Sequence, residues 1–539
     1  MKYKFILIII FSLGLFLRLF NLASHPVNLN RDELAIGYNA YSLINTSYDE
    51  HGQGPWPLAF ESFGDYKLPG LIYMTTIPVK LYGLNAFSVR LPNAIFGSLL
   101  ILIVYFLAKE IFKSKKAAIY TSIFIALSYW HIHGSRSAYE PIVALTLSTA
   151  SFLFLLKSKK RPIWLFLTIL FSMLSFYIYN SPLIIVPLIL ISYLVLNRKY
   201  YFKNLTITLV NLTFFILGMI VFIQLTKQVS LARSHTTVFV QPQLVETINQ
   251  NIHYLHTGGW PLPIARMISN KPTEILLALS KNYLSAFNPT YLFATGDDNP
   301  WHNLVNINIG NLNLIFLPLF LFGLYQLKKT KIKSSSQYSF LWLYLLFSPI
   351  PNAICIDSPV TNRLMDFHLS IILISVFGLM HLSRKLKFLT LAIYFGLFTY
   401  FIAGYWFIHS HRLSPFWEDK TNVLMYQVKN IANNYDRIYI TNSLDVGYIF
   451  LVFYYQYDPA LFQSQAGWVN DGFTRVVSLD KYSFDQLGLK ALAKRHESGE
   501  KILVVNRQSQ YLKEPADVPI TIKDNNNKIL WSAEEIIIP

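Results

Sequence analysis

The stretch Phe5–Leu22, FILIIIFSLGLFLRLFNL, is an apolar run of about bilayer-spanning length, preceded by Lys2 and Lys4. Arg18 interrupts its far end and no Ala-x-Ala cleavage site follows, so it reads as an uncleaved first helix rather than a secretory signal. Just beyond it stands Asn30-Arg31-Asp32-Glu33. A carboxylate pair beside a span is costly unless it faces water or a cavity. Two explanations stay open for the pair itself: a functional site, or the acidic start of the helix-like Leu34–Leu43.

The same pattern of apolar run and short polar connection continues along the chain. Of 539 residues, 53% are hydrophobic and only 14% charged, against about a quarter charged in soluble domains. Mean hydropathy is +0.37. Further spans are expected near 87–112, 117–133, 139–156, 162–179, 182–196, 205–225, 312–327, 338–350, 367–382 and 388–408, about eleven in all. The net charge of +17 would suit nucleic acid, but the cations sit in short loops between spans, where membrane topology accounts for them, so no nucleic-acid partner is expected. Cys355 is the only cysteine, which excludes an intrachain disulfide and a cysteine-based metal site.

Orientation follows from the loops. Lys113/Lys115/Lys116, Lys157/Lys159/Lys160/Arg161, Arg198/Lys199/Lys203, Lys328/Lys329/Lys331/Lys333 and Arg384/Lys385/Lys387 fall, with Lys2 and Lys4, on one side of the eleven-span arrangement. The positive-inside rule makes that side cytoplasmic, with the N-terminus inside and the C-terminus outside. Asp32, Glu33, Asp49, Glu50, Glu61 and Asp65 then lie in an outer loop of about 23–68, and Glu246, Glu274, Asp297 and Asp298 in a second of about 227–311. Two long outer loops among short connections are where function is sought. Beyond about residue 412 the composition turns ordinary. Strand-like Arg437–Thr441, Ile502–Val505 and Ile520–Ile522 alternate with helix-like stretches near 416–433 and 484–497. The expected division is a transmembrane domain over 1–411 and a small extracytoplasmic α/β domain over 412–539.

Several outer stretches could carry chemistry. Phe63-Gly64-Asp65-Tyr66-Lys67-Leu68-Pro69 places a lysine where the chain re-enters an apolar stretch; it suits a lipid phosphate, or simply snorkels. His131-Ile132-His133-Gly134-Ser135-Arg136, followed by Tyr139-Glu140-Pro141, puts a cation on the side where cations are scarce, and a phosphate or carboxylate partner would explain Arg136. The His-x-His pair is a poor metal site, because residues two apart on a helix diverge and no third ligand is adjacent. Gly296-Asp297-Asp298-Asn299-Pro300-Trp301-His302 could hold a sugar, or be a turn. Pro349-Ile350-Pro351-Asn352-Ala353 marks a helix break before Arg363, a second candidate phosphate partner. There is no Walker loop, GxSxG elbow, HExxH or dinucleotide fingerprint.

Taken in order, these elements resemble the integral-membrane glycosyltransferases of the GT-C class, closest to protein O-mannosyltransferases and the lipid A aminoarabinose transferase. The matching stretches are Arg18–Leu22, Arg31-Asp32-Glu33, Phe63–Pro69, Phe87–Pro92, Ser135-Arg136 with Glu140, and Gly296–Asn299. The resemblance implies a mainly α, polytopic GT-C fold and an inverting sugar transfer from a polyprenyl-phosphate donor at the outer face. Asp32 would be the catalytic carboxylate, with Glu33 beside it. Lys67, Arg136 and Arg363 would meet the donor phosphate, and Asp65, Tyr66, Glu140, Asp297 and His302 the substrates. Partners would be the lipid-linked donor, membrane lipid, and a lipid, polysaccharide or protein acceptor. No ligand set for a metal is evident, so the cofactor expectation is none, with a divalent metal as the alternative. A secondary transporter or lipid flippase is the rival class; it would place ionisable residues mid-span, whereas here the acids gather in outer loops.

Overall fold

The computed structural model describes residues 2–240, 242–299, 303, 309–330, 336–414, 417–441, 444, 446–470, 474–484, 497–507, 519–524 and 527–537. The chain is mainly helical, with a β-sheet region near its C-terminus. It divides into two compact units, one of Met1–Phe20 with Asn93–His409 and one of Asn21–Pro92 with Ser410–Pro539. Residues of about 23–68 therefore group with the C-terminal residues rather than with the apolar helices.

The helical unit opens with α1 (Lys2–Leu19). The chain then passes through the other unit, where α2 (Arg31–Thr46) and α3 (Pro69–Tyr82) lie, and returns within α4 (Ala86–Phe112). There follow α5 (Lys115–Ala126), α6 (Tyr129–Ser135), α7 (Glu140–Ser158), α8 (Trp164–Phe176) and α9 (Pro182–Leu196). Among the described residues, Ala86–Phe112, Glu140–Ser158, Leu205–Leu225 and Arg384–Leu413 are long and apolar enough to cross a membrane. Trp164–Phe176, Pro182–Leu196 and Met365–His381 are shorter apolar helices. Leu205–Leu225 leaves Phe214, Ile216, Leu217 and Ile223 exposed, an apolar surface that lipid would cover. The stretch 117–133, expected as one span, is two helices broken at Leu127-Ser128.

One buried arginine accounts for how that break is tolerated. Arg18 donates to the Gly14, Ala126 and Ile125 carbonyls at 2.8, 3.2 and 3.1 Å, and lies 2.6 Å from His131 Nδ1. It thereby satisfies the open C-terminus of α5. Elsewhere in this unit, helices Phe316–Lys329 and Met365–His381 approach backbone to backbone. A Cβ at Gly378 would lie 2.4 Å from the Leu319 carbonyl, and one at Gly323 2.2 Å from that of Ile374. Small residues permit such close crossings of apolar helices.

The second unit contains a two-stranded hairpin and a seven-stranded sheet. The hairpin pairs β1 (Phe60–Ser62) with β2 (Asp65–Lys67) through a two-residue turn in which Phe63 and Gly64 both have positive φ, 57° and 80°. The sheet has β3 (Arg437–Ile440), β4 (Gly467–Asn470), β5 (Thr474–Leu479), β6 (Tyr482–Ser483), β7 (Lys501–Arg507), β8 (Ile520–Lys523) and β9 (Ile529–Ile537) in the order β4-β5-β6-β3-β7-β9-β8. β3 runs parallel to β6 and β7, and the other pairings are antiparallel. The three strand-like stretches read from sequence are β3, β7 and β8. The longest strand, β9, escapes that reading because Glu534, fully buried, and Glu535 break its apolar run.

α2 is the element that the outer loop and the C-terminal residues share. A Cβ at Gly37 would lie 2.6 Å from the Phe453 ring and from Val89, so the helix Gly447–Tyr455 sits directly on α2. Tyr38 Oη donates to the Tyr457 carbonyl at 3.1 Å, and Gln463 Nε2 donates to Ser42 Oγ and the Asp49 carbonyl at 3.0 and 2.8 Å. Asn28 Nδ2 donates to the Glu418 carbonyl at 2.8 Å, while Tyr454 Oη donates to Asn28 Oδ1 at 2.6 Å.

Candidate active site

The start of α2 separates two neighbouring carboxylates by geometry alone. Asn30 and Glu33 form a reciprocal capping box, each side chain accepting the other's backbone N–H at 3.0 and 3.2 Å. That turns Glu33 inward, where it is fully buried. Arg90, also fully buried, grips it with Nε to Oε1 at 2.9 Å and Nη2 to Oε2 at 3.0 Å. Remaining Arg90 hydrogens go to the Pro26 carbonyl at 2.9 Å, the Leu22 carbonyl at 3.2 Å and the Asn28 carbonyl. A bidentate guanidinium with its other donors on carbonyls is a structural anchor. It fixes the 22–28 segment and the first turn of α2 together.

Asp32, one position earlier on the helix, points the other way. Its side chain is 49% exposed and accepts Lys67 Nζ at 2.8 Å, the lysine being 14% exposed. The hairpin turn at Phe63-Gly64 reverses the chain, and β2 delivers Lys67 to Asp32 across 35 residues of sequence. The carboxylate is thus solvent-accessible in the first turn of a helix, with an ammonium beside it. Asp65 Oδ1 accepts the Tyr66 backbone N–H at 2.7 Å, and Tyr66 Oη hydrogen-bonds Glu61.

Asp49-Glu50-His51, adjacent in the same loop, was given no role from sequence. Glu50 is fully buried, accepting from Asn39 Nδ2 at 3.1 Å and Tyr448 Oη at 3.4 Å. Burial, helped by the charge of Asp49, pushes its carboxyl up to about 8, although the Asn39 and Tyr448 hydrogen bonds pull the other way. Burial likewise raises Asp49 to about 6, against backbone hydrogen bonds from Gln53 and His51. His51 stacks on Trp468 at 4.0 Å, and Thr474 Oγ1 donates to Glu61 at 2.5 Å. Above its ordinary value of 4.5 and up to about 8, the folded chain keeps a proton on Glu50 that the unfolded chain has lost. Stability contributed at this group is therefore lost as pH rises through that window. The melting temperature of the purified protein should fall more steeply between about pH 5 and pH 8 than that of Glu50→Gln. Parallel curves for the two would show that the proton on Glu50 is not linked to folding.

The helical unit holds the other expected residues. Arg136 is fully buried, donating to the Leu17 and Phe20 carbonyls at 2.8 Å each and lying 4.9 Å from the centre of the Trp406 ring. It caps the C-terminus of α1, which gives this cation a local structural reason. His131 engages Arg18, whereas His133 faces Tyr405 Oη at 3.4 Å and His409. Among the described residues, no cluster of three His, Cys, Asp or Glu could hold a metal. Glu140 opens α7, within electrostatic reach of Tyr179.

Arg363 lies on the 3₁₀ turn Thr361–Arg363 and donates to the Asp357 carbonyl at 3.1 Å. Asp297, read from sequence as a sugar contact, is buried and accepts the Thr361 N–H at 2.7 Å and the Asn299 N–H at 2.9 Å. It positions the turn that carries Arg363. His302 lies outside the described residues. A cavity of about 240 Å³ is lined by Arg363 together with Arg233, Tyr179 and Asn180. Arg233 is brought there because residues 236–238 pair with 354–356: Val238 N donates to Ile354 O at 2.9 Å and Ile356 N to Thr236 O at 3.1 Å. Both guanidinium charges reach the Cys355 thiol, which burial pushes up. Two arginines in one cavity at the start of α9, whose first turn also lines it, form an anion-binding arrangement. Arg233 was missed from sequence, since it is one of several cations in a long loop and its partner segment lies more than a hundred residues on.

A family model described as dolichyl-phosphate-mannose-protein mannosyltransferase matches residues 67–223. No curated protein matches the sequence. The fold is similar to that of ArnT from Cupriavidus metallidurans in the apo state, with a TM-score of 0.53 at 12% identity over 98% of this chain and 97% of that one. Against the same protein bound to undecaprenyl phosphate the TM-score is 0.52, with the same identity and coverage. The oligosaccharyltransferase AglB from Archaeoglobus fulgidus, in complex with an inhibitory peptide and a dolichol-phosphate, aligns at 0.48 and 14% identity over 84% of this chain and 63% of that one. By fold, the chain is similar to ArnT over nearly its whole length, and the mannosyltransferase family model matches residues 67–223.

Proposed function

We propose that the protein transfers a sugar from a polyprenyl-phosphate donor to an acceptor hydroxyl at the outer membrane face, with inversion at the anomeric carbon. The observation that carries this reading is Asp32, accessible and held by Lys67, beside a buried Glu33 gripped by Arg90. The acceptor oxygen attacks the anomeric carbon as its proton passes to the Asp32 carboxylate. The bond from that carbon to the phosphate oxygen breaks, and the phosphate leaves with the electron pair. Lys67 is the cation assigned to the phosphate as its charge grows. The reaction needs no nucleotide site. About eleven spans, with the N-terminus cytoplasmic and the C-terminus extracytoplasmic, are part of the same reading.

The test is transfer of a radiolabelled sugar from a polyprenyl phosphate by the purified protein in lipid. Activity is expected with a lipid-phosphate sugar and not with a sugar nucleotide; the reverse preference would overturn the proposal. Lys67→Ala should cut kcat/KM for the donor by about 10- to 100-fold, the range for one lost charged hydrogen bond. A change confined to the acceptor KM would remove Lys67 from the phosphate.

A further inference from the structure

The unit formed by Asn21–Pro92 and Ser410–Pro539 holds a cavity of about 400 Å³, inside the range of about 300–1,000 Å³ typical of small-molecule sites. None of the residues assigned to sugar transfer lines it. Its chemistry is mixed: Arg507, Lys528, His25 and His411 supply nitrogen bases, and Asp419 and Asp524 supply carboxylates. Trp531 braces both kinds. Its ring lies 5.5 Å from the Arg507 guanidinium and its Nε1 donates to the Asp419 carbonyl at 3.0 Å. Each acid is also oriented. Asp419 Oδ2 accepts Ser414 Oγ at 2.8 Å, and Asp524 Oδ1 accepts the Lys528 backbone N–H at 2.8 Å. Each of these bonds fixes the direction of its carboxylate at the cavity wall.

The chain itself places the cavity in depth. Asn21 lines it two residues after α1 ends, and Ser410 and His411 line it within the last turns of Arg384–Leu413, a helix long and apolar enough to span a bilayer. Residues at such helix ends stand at the headgroup level. We infer that this cavity binds the headgroup of a zwitterionic phospholipid, one with a phosphate diester and a primary ammonium. Arg507, Lys528 and the imidazoles take the phosphate oxygens, and Asp419 and Asp524 take the ammonium. A headgroup without an ammonium would offer the two carboxylates no cationic partner of its own.

Native mass spectrometry of the full chain released from detergent reads this out without any transfer assay. Phosphatidylethanolamine should be retained about tenfold better than phosphatidylglycerol, the weight of one charged hydrogen bond. Arg507→Gln/Lys528→Gln should abolish that retention, Asp419→Asn/Asp524→Asn should erase the preference, and Arg507→Lys should keep it. Equal retention of both lipids by the wild type and every variant would mean annular lipid only and would overturn the site. Inorganic phosphate or free phosphoethanolamine binding as tightly as the lipid would overturn the lipid as its occupant.

Discussion

Asp32→Asn is expected to lower the turnover of sugar transfer by about 10²–10⁴-fold, the range for a lost general base, with the chain still folded. The substitution keeps the side chain's shape and its place in the first turn of α2, and removes only the basicity. The folding cost should be small, because the Asp32–Lys67 pair is half-open to water and such pairs contribute about 0–1 kcal/mol. Donor binding, measured separately, should change little. The measurement is single-turnover transfer of labelled sugar by purified variants, with melting curves alongside. Turnover near that of the wild type would remove Asp32 as the base. Loss of melting stability to the same extent as loss of rate would make its role structural.

Arg90→Ala is expected to cost about 3–5 kcal/mol, the usual penalty for stripping one partner from a buried ion pair. A typical domain is stable by about 5–15 kcal/mol, so the variant should be recovered in poor yield and melt well below the wild type. The loss should not be repaired by also replacing Glu33 with an apolar residue. Arg90 bonds the Leu22, Pro26 and Asn28 carbonyls as well as the carboxylate, and those acceptors would be left buried and unpaired. Arg90→Lys should rescue only part, since an ammonium cannot bridge both Glu33 oxygens and reach three carbonyls. Full stability of the Glu33→Leu/Arg90→Leu pair, read by thermal melting, would show that the carbonyl contacts carry nothing.

These two expectations mark what the sequence makes legible. Asp32-Glu33 stands out beside an apolar run because charge there needs a reason. The division of labour between the two does not stand out, since it depends on Asn30 turning Glu33 inward and on Arg90, more than fifty residues away. The mainly helical class and the strands β3, β7 and β8 follow from hydropathy and β-branched runs. β9 hides behind Glu534, and the broken helix at Leu127-Ser128 hides inside a continuous apolar stretch. Arg363 is visible as an outer cation, but Arg233 becomes its neighbour only through the pairing of 236–238 with 354–356. Asp297 and Arg136 stand out for their charge, yet their partners include backbone N–H groups and backbone carbonyls, which no pattern of side chains announces.

The joining of residues 21–92 with residues 410–539 has a consequence for biogenesis. At synthesis rates of about 5–20 residues per second, the roughly 300 residues between them take some tens of seconds to make. For that interval α2 waits with the face that Phe453, Tyr457 and Gln463 will cover still bare. The segment bearing Asp32 is thus among the earliest made and among the last to be closed over, so a ribosome that stops before the Gly447–Tyr455 helix leaves α2 without the residues that cover it.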